Sequence, residues 1–234
     1  MVKVFALVLS LFISANATAA EHIFAHGPGI TDNVRSIGAV VYLTLDAADS
    51  RPNGYDATLI EYLRKERIPA TLFLNHNWIE ANQRLARELA ADPLFKVENH
   101  GVRNRPATVA GMLALNMPGA LDPKRELLYD IRMGSEQILR LSGRAPTWFR
   151  SAIPQYDSEA VEIILGLNLR IAGFAIDLAS TATPEEVERK ILAVRPGDII
   201  RARLDRPESE TAEGIRRAAI SLHLLGYRFE KLPD

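Results

Sequence analysis

The sequence predicts a parallel α/β domain, and three observations carry that expectation. Past the first twenty or so residues, short apolar runs rich in Val, Ile, Leu and Phe alternate with amphipathic helical patterns. That order makes strands pair in parallel through helical crossovers. About 214 residues follow the leader, a length that suits one domain and one large core. No glycine-rich phosphate loop follows any strand, which removes the strongest sequence sign of a nucleotide-binding open sheet. The alternation itself fits either a closed or nearly closed barrel or an open doubly wound sheet.

The chain opens on "MVKVFALVLSLFISANATAAEH". A lysine, an apolar run from Val4 to Ile13, and small residues at Ala17 and Ala19 follow the order of a secretory signal peptide. The run is short for a bilayer span, so cleavage near Ala19 or Ala20 is expected rather than a permanent anchor. This sets residues 1–20 as leader and 21–234 as the mature domain, with no membrane span after cleavage.

"GAVVYLTLD" reads as a buried strand, and "YDATLIEYLRKERI" as a helix with Leu59, Tyr62 and Leu63 on one face. "PATLFLN" is the next strand and "IEANQRLARELAAD" a polar helix. "LFKVENH", "PTWFRS", "LRIAGFAID", "GDIIRAR" and "YRFEKL" continue the strand series, giving about seven. Between them, "PKRELLYDIRMGSEQILRLSG", "DSEAVEIILGLN", "TPEEVERKILAV" and "TAEGIRRAAISLHLLG" read as helices. Thr183, Pro184 and Glu186 make a capping box, and Gly143 and Gly226 stand where helices should stop. In the last helix Ile215, Ala218, Ala219, Leu222 and Leu225 form one buried stripe. Met112 to Asp122 reads as a long loop.

The chain has 28 basic and 29 acidic side chains, a formal charge of −1, which becomes −2 once Lys3 leaves with the leader. No basic run stands out, so nucleic acid is not expected as a partner. The absence of cysteine excludes disulfides, thiolate metal sites and a cysteine nucleophile.

In parallel α/β folds functional groups gather at the carboxyl ends of strands. Here those ends carry Asp46, His76, His100, Arg150, Asp177 and Arg203. One polar residue at a strand end means little; a succession that includes two histidines and two arginines points to a site.

The stretches "LTLDAADS", "VENHGVRNRP", "WFRSAIPQYD", "GFAID" and "PGDIIRARLDRPESETAEGI" resemble, in order and approximate spacing, the motifs of polysaccharide deacetylases, the NodB-homology group. The resemblance runs from about Ala39 to Leu232. It implies a distorted (β/α) barrel and an exported, periplasmic or secreted protein of carbohydrate metabolism. It further implies a hydrolase of non-peptide carbon–nitrogen bonds that removes acetyl from N-acetylglucosamine-containing glycans, or acetyl from esters. Members use a divalent metal, zinc if this chain is active. The metal polarises the carbonyl and lowers the pKa of bound water, while a carboxylate and an imidazole move the protons.

Carried over position by position, the resemblance makes Asp46 the base, His100 a metal ligand and Arg150 the residue that orients the base. Asp177 becomes a supporting acid, and the Ile153 amide an oxyanion donor. Three positions depart. Ala47 stands where the metal aspartate should be, Asn104 replaces the second metal histidine, and Arg203 replaces the general-acid histidine. Asn104 offers only a neutral carbonyl oxygen. A guanidinium stays protonated and cannot shuttle a proton. His76 or Asp49 is a candidate substitute ligand, and Trp78, Trp148 and Tyr156 are candidate sugar platforms, though core packing is the commoner role for such aromatics. His22, His26 and His223 read as surface or tail residues.

Two readings follow. The first is a degenerate homologue with lost or weak hydrolase activity and a glycan-binding role, in which Asp46 and Arg203 form an ion pair and no metal, or a weakly held one, is bound. The second is an active carbohydrate N- or O-deacetylase with a rebuilt metal site.

Overall fold

The computed structural model describes residues 22–48, 54–110, 122–180, 183–207 and 211–234. The expected leader, Asp49 and most of the loop expected at Met112 to Asp122 lie outside the described residues.

The strands are β1 (Ile30–Thr31), β2 (Val40–Ala47), β3 (Ala70–Leu74), β4 (Phe95–Asn99), β5 (Pro106–Ala107), β6 (Trp148–Phe149), β7 (Ile153–Tyr156), β8 (Arg170–Ala172), β9 (Ile176–Asp177), β10 (Ile199–Arg203) and β11 (Arg228–Glu230). The helices are α1 (Ala57–Lys65), α2 (His76–Ala81), α3 (Gln83–Ala91), α4 (Pro123–Ser142), α5 (Ser158–Gly166), α6 (Pro184–Ile191) and α7 (Thr211–Leu224). The main sheet runs β1-β8-β6-β4-β3-β2-β10-β9, with β11 added to the first residues of β2, and its strands pair in parallel. β5 and β7 form a separate two-stranded sheet.

Local chemistry fixes the helix ends. Asp56 accepts the Leu59 amide at 2.9 Å to start α1, and Asp157 accepts the Ala160 amide at 2.8 Å to start α5. The Thr183 hydroxyl accepts the Glu186 amide at 3.2 Å at the start of α6. Gly143 ends α4 at φ 72°, a left-handed conformation that glycine adopts without steric penalty.

The sheet is curled, which makes its two faces unequal. Val41, Leu43, Leu45 and Ala47 of β2 pack outward in the large core with Leu72, Leu74, Ile200 and Ala202 and with the apolar faces of the helices. The alternate residues point to the concave side, where Val40 and Tyr42 meet Phe73, Trp148, Ala172, Ile199 and Leu232. Each fully buried large apolar side chain contributes about 1.5–3 kcal/mol. The concave side is apolar at the strands' amino ends and polar at their carboxyl ends, where Thr44 and Asp46 follow Tyr42.

Two features of the barrel are not visible in the sequence pattern. "LRIAGFAID", which reads as one strand, splits at Gly173–Ala175. β8 pairs with β6 and β1, whereas β9 crosses over to pair with β10. The segment after β1 spans the gap: the Asp32 carbonyl accepts the Ile199 amide at 3.1 Å, and its carboxylate accepts the Phe174 amide at 2.9 Å. Closure through this irregular seam is what distorts the barrel. β1 itself is too short for hydrophobic periodicity to reveal.

Candidate active site

Asp46 sits one residue from the end of β2, and no part of it is exposed. Both carboxylate oxygens are taken. Arg150 donates to Oδ1 at 2.7 Å, and Arg201 donates to Oδ2 at 2.7 Å. Burial pushes this carboxyl up, but the charges of Arg150 and Arg201 and the hydrogen bond from Arg201 outweigh it and hold the group well below the usual carboxylate range.

Arg150 follows β6 and is fully buried. Its guanidinium donates to the carbonyls of Ala172 at 3.0 Å and Gly173 at 2.8 Å, to the Thr44 hydroxyl at 2.8 Å and to Asp46. It also lies 4.4 Å from the centre of the Phe73 ring. The Gly173 contact depends on a close approach of backbone, since a Cβ there would overlap Asp32 Oδ1 and lie 2.7 Å from Ile30 Cγ2. Arg150 is thus a strut tying three strands together as well as a partner for Asp46.

The second guanidinium comes from β10. Arg201 stands opposite Thr44 and Arg203 opposite Asp46 in the ladder. Period-two alternation turns both arginines to the concave face. Arg201 is 7% exposed and reaches up to Asp46; it also touches Asp177 Oδ2 at 3.3 Å and lies 5.2 Å from the Phe174 ring. Arg203 turns away to a bidentate pair with Asp205, at 2.7 and 2.8 Å. Asp205 also accepts the Ala48 amide at 2.8 Å. The ion pair anticipated between Asp46 and Arg203 is therefore made by Arg201 instead. Asp177 sits at the end of β9, with Oδ1 accepting the Ala179 amide at 2.9 Å.

His100 follows β4 and is fully buried. Its Nδ1 lies 2.8 Å from the Arg150 carbonyl, which can only accept, so Nδ1 carries the proton and Nε2 presents a lone pair. Nε2 is buried and has no partner. Burial lowers the pKa of this imidazole to about 4, so it is neutral near pH 7. His76 opens α2, and its Nδ1 is likewise buried without a partner.

Other residues singled out in the sequence lie apart from this cluster. Asn104 is exposed on the bend between β4 and β5. Ile153 is 38% exposed, and its amide faces the Arg105 carbonyl at 3.4 Å. The buried Tyr156 hydroxyl accepts the Ser151 amide at 2.9 Å, and burial pushes its pKa up to about 12. Trp78 is fully buried in the core outside the sheet, donating to the Gly54 carbonyl at 2.8 Å. Trp148 donates at 2.7 Å to the Pro233 carbonyl, and its amide donates to the buried Glu98, which pairs with the partly buried Lys96 on β4. Ala47 faces the helices within the outer core.

One site residue, Arg201, and one contact at its edge, made by His26, are not singled out in the sequence. Arg201 is legible in "GDIIRAR", because a residue two before Arg203 shares its face. His26 is 3.0 Å from Asp32 and edge-on to Phe174 at 5.0 Å between ring centres; nothing in the sequence around it signals that contact.

A curled parallel sheet with a buried carboxylate, histidine and arginine at the strands' carboxyl ends defines a carbohydrate-deacetylase-like barrel. The sequence profile of the polysaccharide deacetylase family matches residues 34–172, and the chain belongs to that family. Among solved structures it is similar to a family 4 carbohydrate-esterase pseudoenzyme from Bacillus anthracis, with TM-score 0.70 and 21% identity over 88% of this chain and 68% of that one. It is also similar to a peptidoglycan N-acetylglucosamine deacetylase, with TM-score 0.71 and 18% identity over 88% of this chain and 91% of that one. A family 4 carbohydrate esterase from Streptomyces lividans, in complex with acetate, superposes with TM-score 0.69 and 20% identity over 85% of this chain and 95% of that one. Among curated proteins no sequence match is found.

The family typically uses a divalent metal, and the residues present here do not fit one. Among the described residues no three His, Asp or Glu side chains converge as a ligand set. Ala47 has no donor atom and Asn104 is exposed. Both oxygens of Asp46 already serve guanidinium groups, which leaves His100 Nε2 and His76 Nδ1 as the buried nitrogens without a partner among the described residues, two donors at most. Catalytic metal sites need about three protein ligands. No helix of the described residues is long and apolar enough to cross a membrane.

Proposed function

We propose that this protein is an exported, non-hydrolytic member of the polysaccharide deacetylase family that binds N-acetylglucosamine-containing glycan in the periplasm or outside the cell. The observation that carries the reading is the engagement of both Asp46 oxygens by buried guanidinium groups. A general base must be free to accept a proton near neutral pH. A carboxylate held far below its usual range between two permanent cations is a poor acceptor, and Arg203 offers no proton to a leaving amine. Support for the glycan comes from the family, whose members act on glycans such as peptidoglycan. Support for export comes from the leader-like residues 1–20. Roles for Asp46, Arg150, Asp177 and Arg203 in the site and for Ile153 in holding sugar belong to the proposal in the same way, whereas the buried Trp78 and Tyr156 are core residues and His100 and Asn104 as metal ligands belong to the second reading.

A second reading is a deacetylase with a rebuilt metal site. It is favoured by the bare imidazole nitrogens of His76 and His100, since buried polar atoms are usually satisfied.

One set of measurements separates the two readings. Purified protein is given zinc, cobalt or nickel, and acetate release from chitooligosaccharides and peptidoglycan is followed beside sedimentation with insoluble glycan. The expected result is glycan binding with no acetate above the buffer rate. Stoichiometric metal uptake with acetate release would establish the second reading.

A further inference from the structure

We propose that Arg201 is the residue that bars a dication from this site, by supplying in permanent form the positive charge that the buried Asp46 requires. The inference rests on the non-hydrolytic reading and deepens it.

The buried carboxylate needs cationic or hydrogen-bonding partners on both oxygens. Arg150 serves one oxygen and is fixed by three further bonds to the barrel wall, so its position is set by the fold. Arg201 serves the other, and among the described residues its further contacts are the partly exposed Asp177, at 3.3 Å, and the face of the Phe174 ring. Of the two cations, Arg201 is the one that the framework does not need. Arg203, the more conspicuous departure from the family's motif, has its charge matched by Asp205 in a bidentate pair. Replacing Arg203 therefore leaves the Arg201–Asp46 contact in place. A dication brought to Asp46 would meet the guanidinium of Arg201 already seated on that carboxylate, in a buried setting where charges are poorly screened. Arg201 acts through Asp46 and is a positioning residue.

The test is metal uptake rather than activity. The variant Arg203→His adds an imidazole on the concave face opposite Asp46 and keeps Arg201. Cobalt titration, followed by d–d absorption, and zinc calorimetry are performed on it and on the same variant carrying Arg201→Met, Arg201→Gln or Arg201→Lys. The expected result is weak or absent uptake by Arg203→His alone, and at least a tenfold gain in affinity with Met or Gln but not with Lys. Circular dichroism checks that each variant folds. Stoichiometric micromolar binding by Arg203→His with Arg201 in place would overturn the proposal, and that arm stands even if the other variants fold poorly. Folded Met and Gln variants that show no gain would overturn it equally. Acetate release by the unaltered protein would instead sink the non-hydrolytic reading, so the two failures are distinguishable.

Discussion

Replacing Asp46 with asparagine keeps the shape of the side chain and removes its charge. In most hydrolases, loss of a general base alters rate and leaves the fold nearly as stable; here the fold itself should suffer. Arg150 is 0% and Arg201 7% exposed, so both guanidiniums would stay buried without their common anion. Removing one partner of a buried ion pair costs about 3–5 kcal/mol. The two charge-assisted hydrogen bonds lost, at about 1.5–3 kcal/mol each, give a similar figure. Asp177 still faces Arg201, but its side chain is 35% exposed and its help is screened, which places the expected loss near the lower end, about 3–4 kcal/mol. That is a large share of a typical domain's stability of about 5–15 kcal/mol. Urea denaturation at pH 7, followed by circular dichroism and tryptophan fluorescence, measures it. With a slope of about 2 kcal/mol per molar urea, the midpoint should fall by about 1.5–2 M. Adding Arg201→Met to Asp46→Asn should recover part of the loss, because one of the two orphaned charges is gone. A single variant within about 0.5 kcal/mol of the parent would refute the view that this cluster holds the barrel together.

Two further outcomes test the same structure. Burial lowers the His100 pKa from 6.5 to about 4, so between those values the unfolded chain binds more protons than the native one, and stability must fall as pH falls through that window. At about 1.4 kcal/mol per pH unit the group accounts for roughly 3 kcal/mol, and His100→Asn should flatten the stability profile between pH 6.5 and 4; parallel profiles would contradict it. Gly173→Ala should destabilise by about 1–3 kcal/mol through overpacking against Asp32 and Ile30, and disturb Arg150 through the Gly173 carbonyl, both readable in thermal unfolding.

Much of the fold is legible in the sequence because burial imposes periodicity. Val41, Leu43 and Leu45 alternate with Tyr42, Thr44 and Asp46, and that alternation announces a strand with two unlike faces. Caps at Thr183 and Gly143 are readable because a local backbone need selects the residue type. The seam is not readable. Gly173 to Ala175 continues an apolar strand pattern, and only closure of the curled sheet makes the chain change neighbours there. Trp78 reads as a candidate sugar platform because an indole is amphipathic; the Gly54 carbonyl satisfies its N–H inside the outer core, a contact set by folding.

By itself the sequence determined the parallel α/β class, the family, and the three departures at Ala47, Asn104 and Arg203, since residue type and order along the chain carry that information. Only the tertiary structure decided which arginine neutralises Asp46. Arg201 and Arg203 share one face of one strand and are chemically identical, so their roles are separated by what lies across the barrel. Asp46 is within reach of the first and Asp205 of the second, and such distances exist only once the sheet has curled.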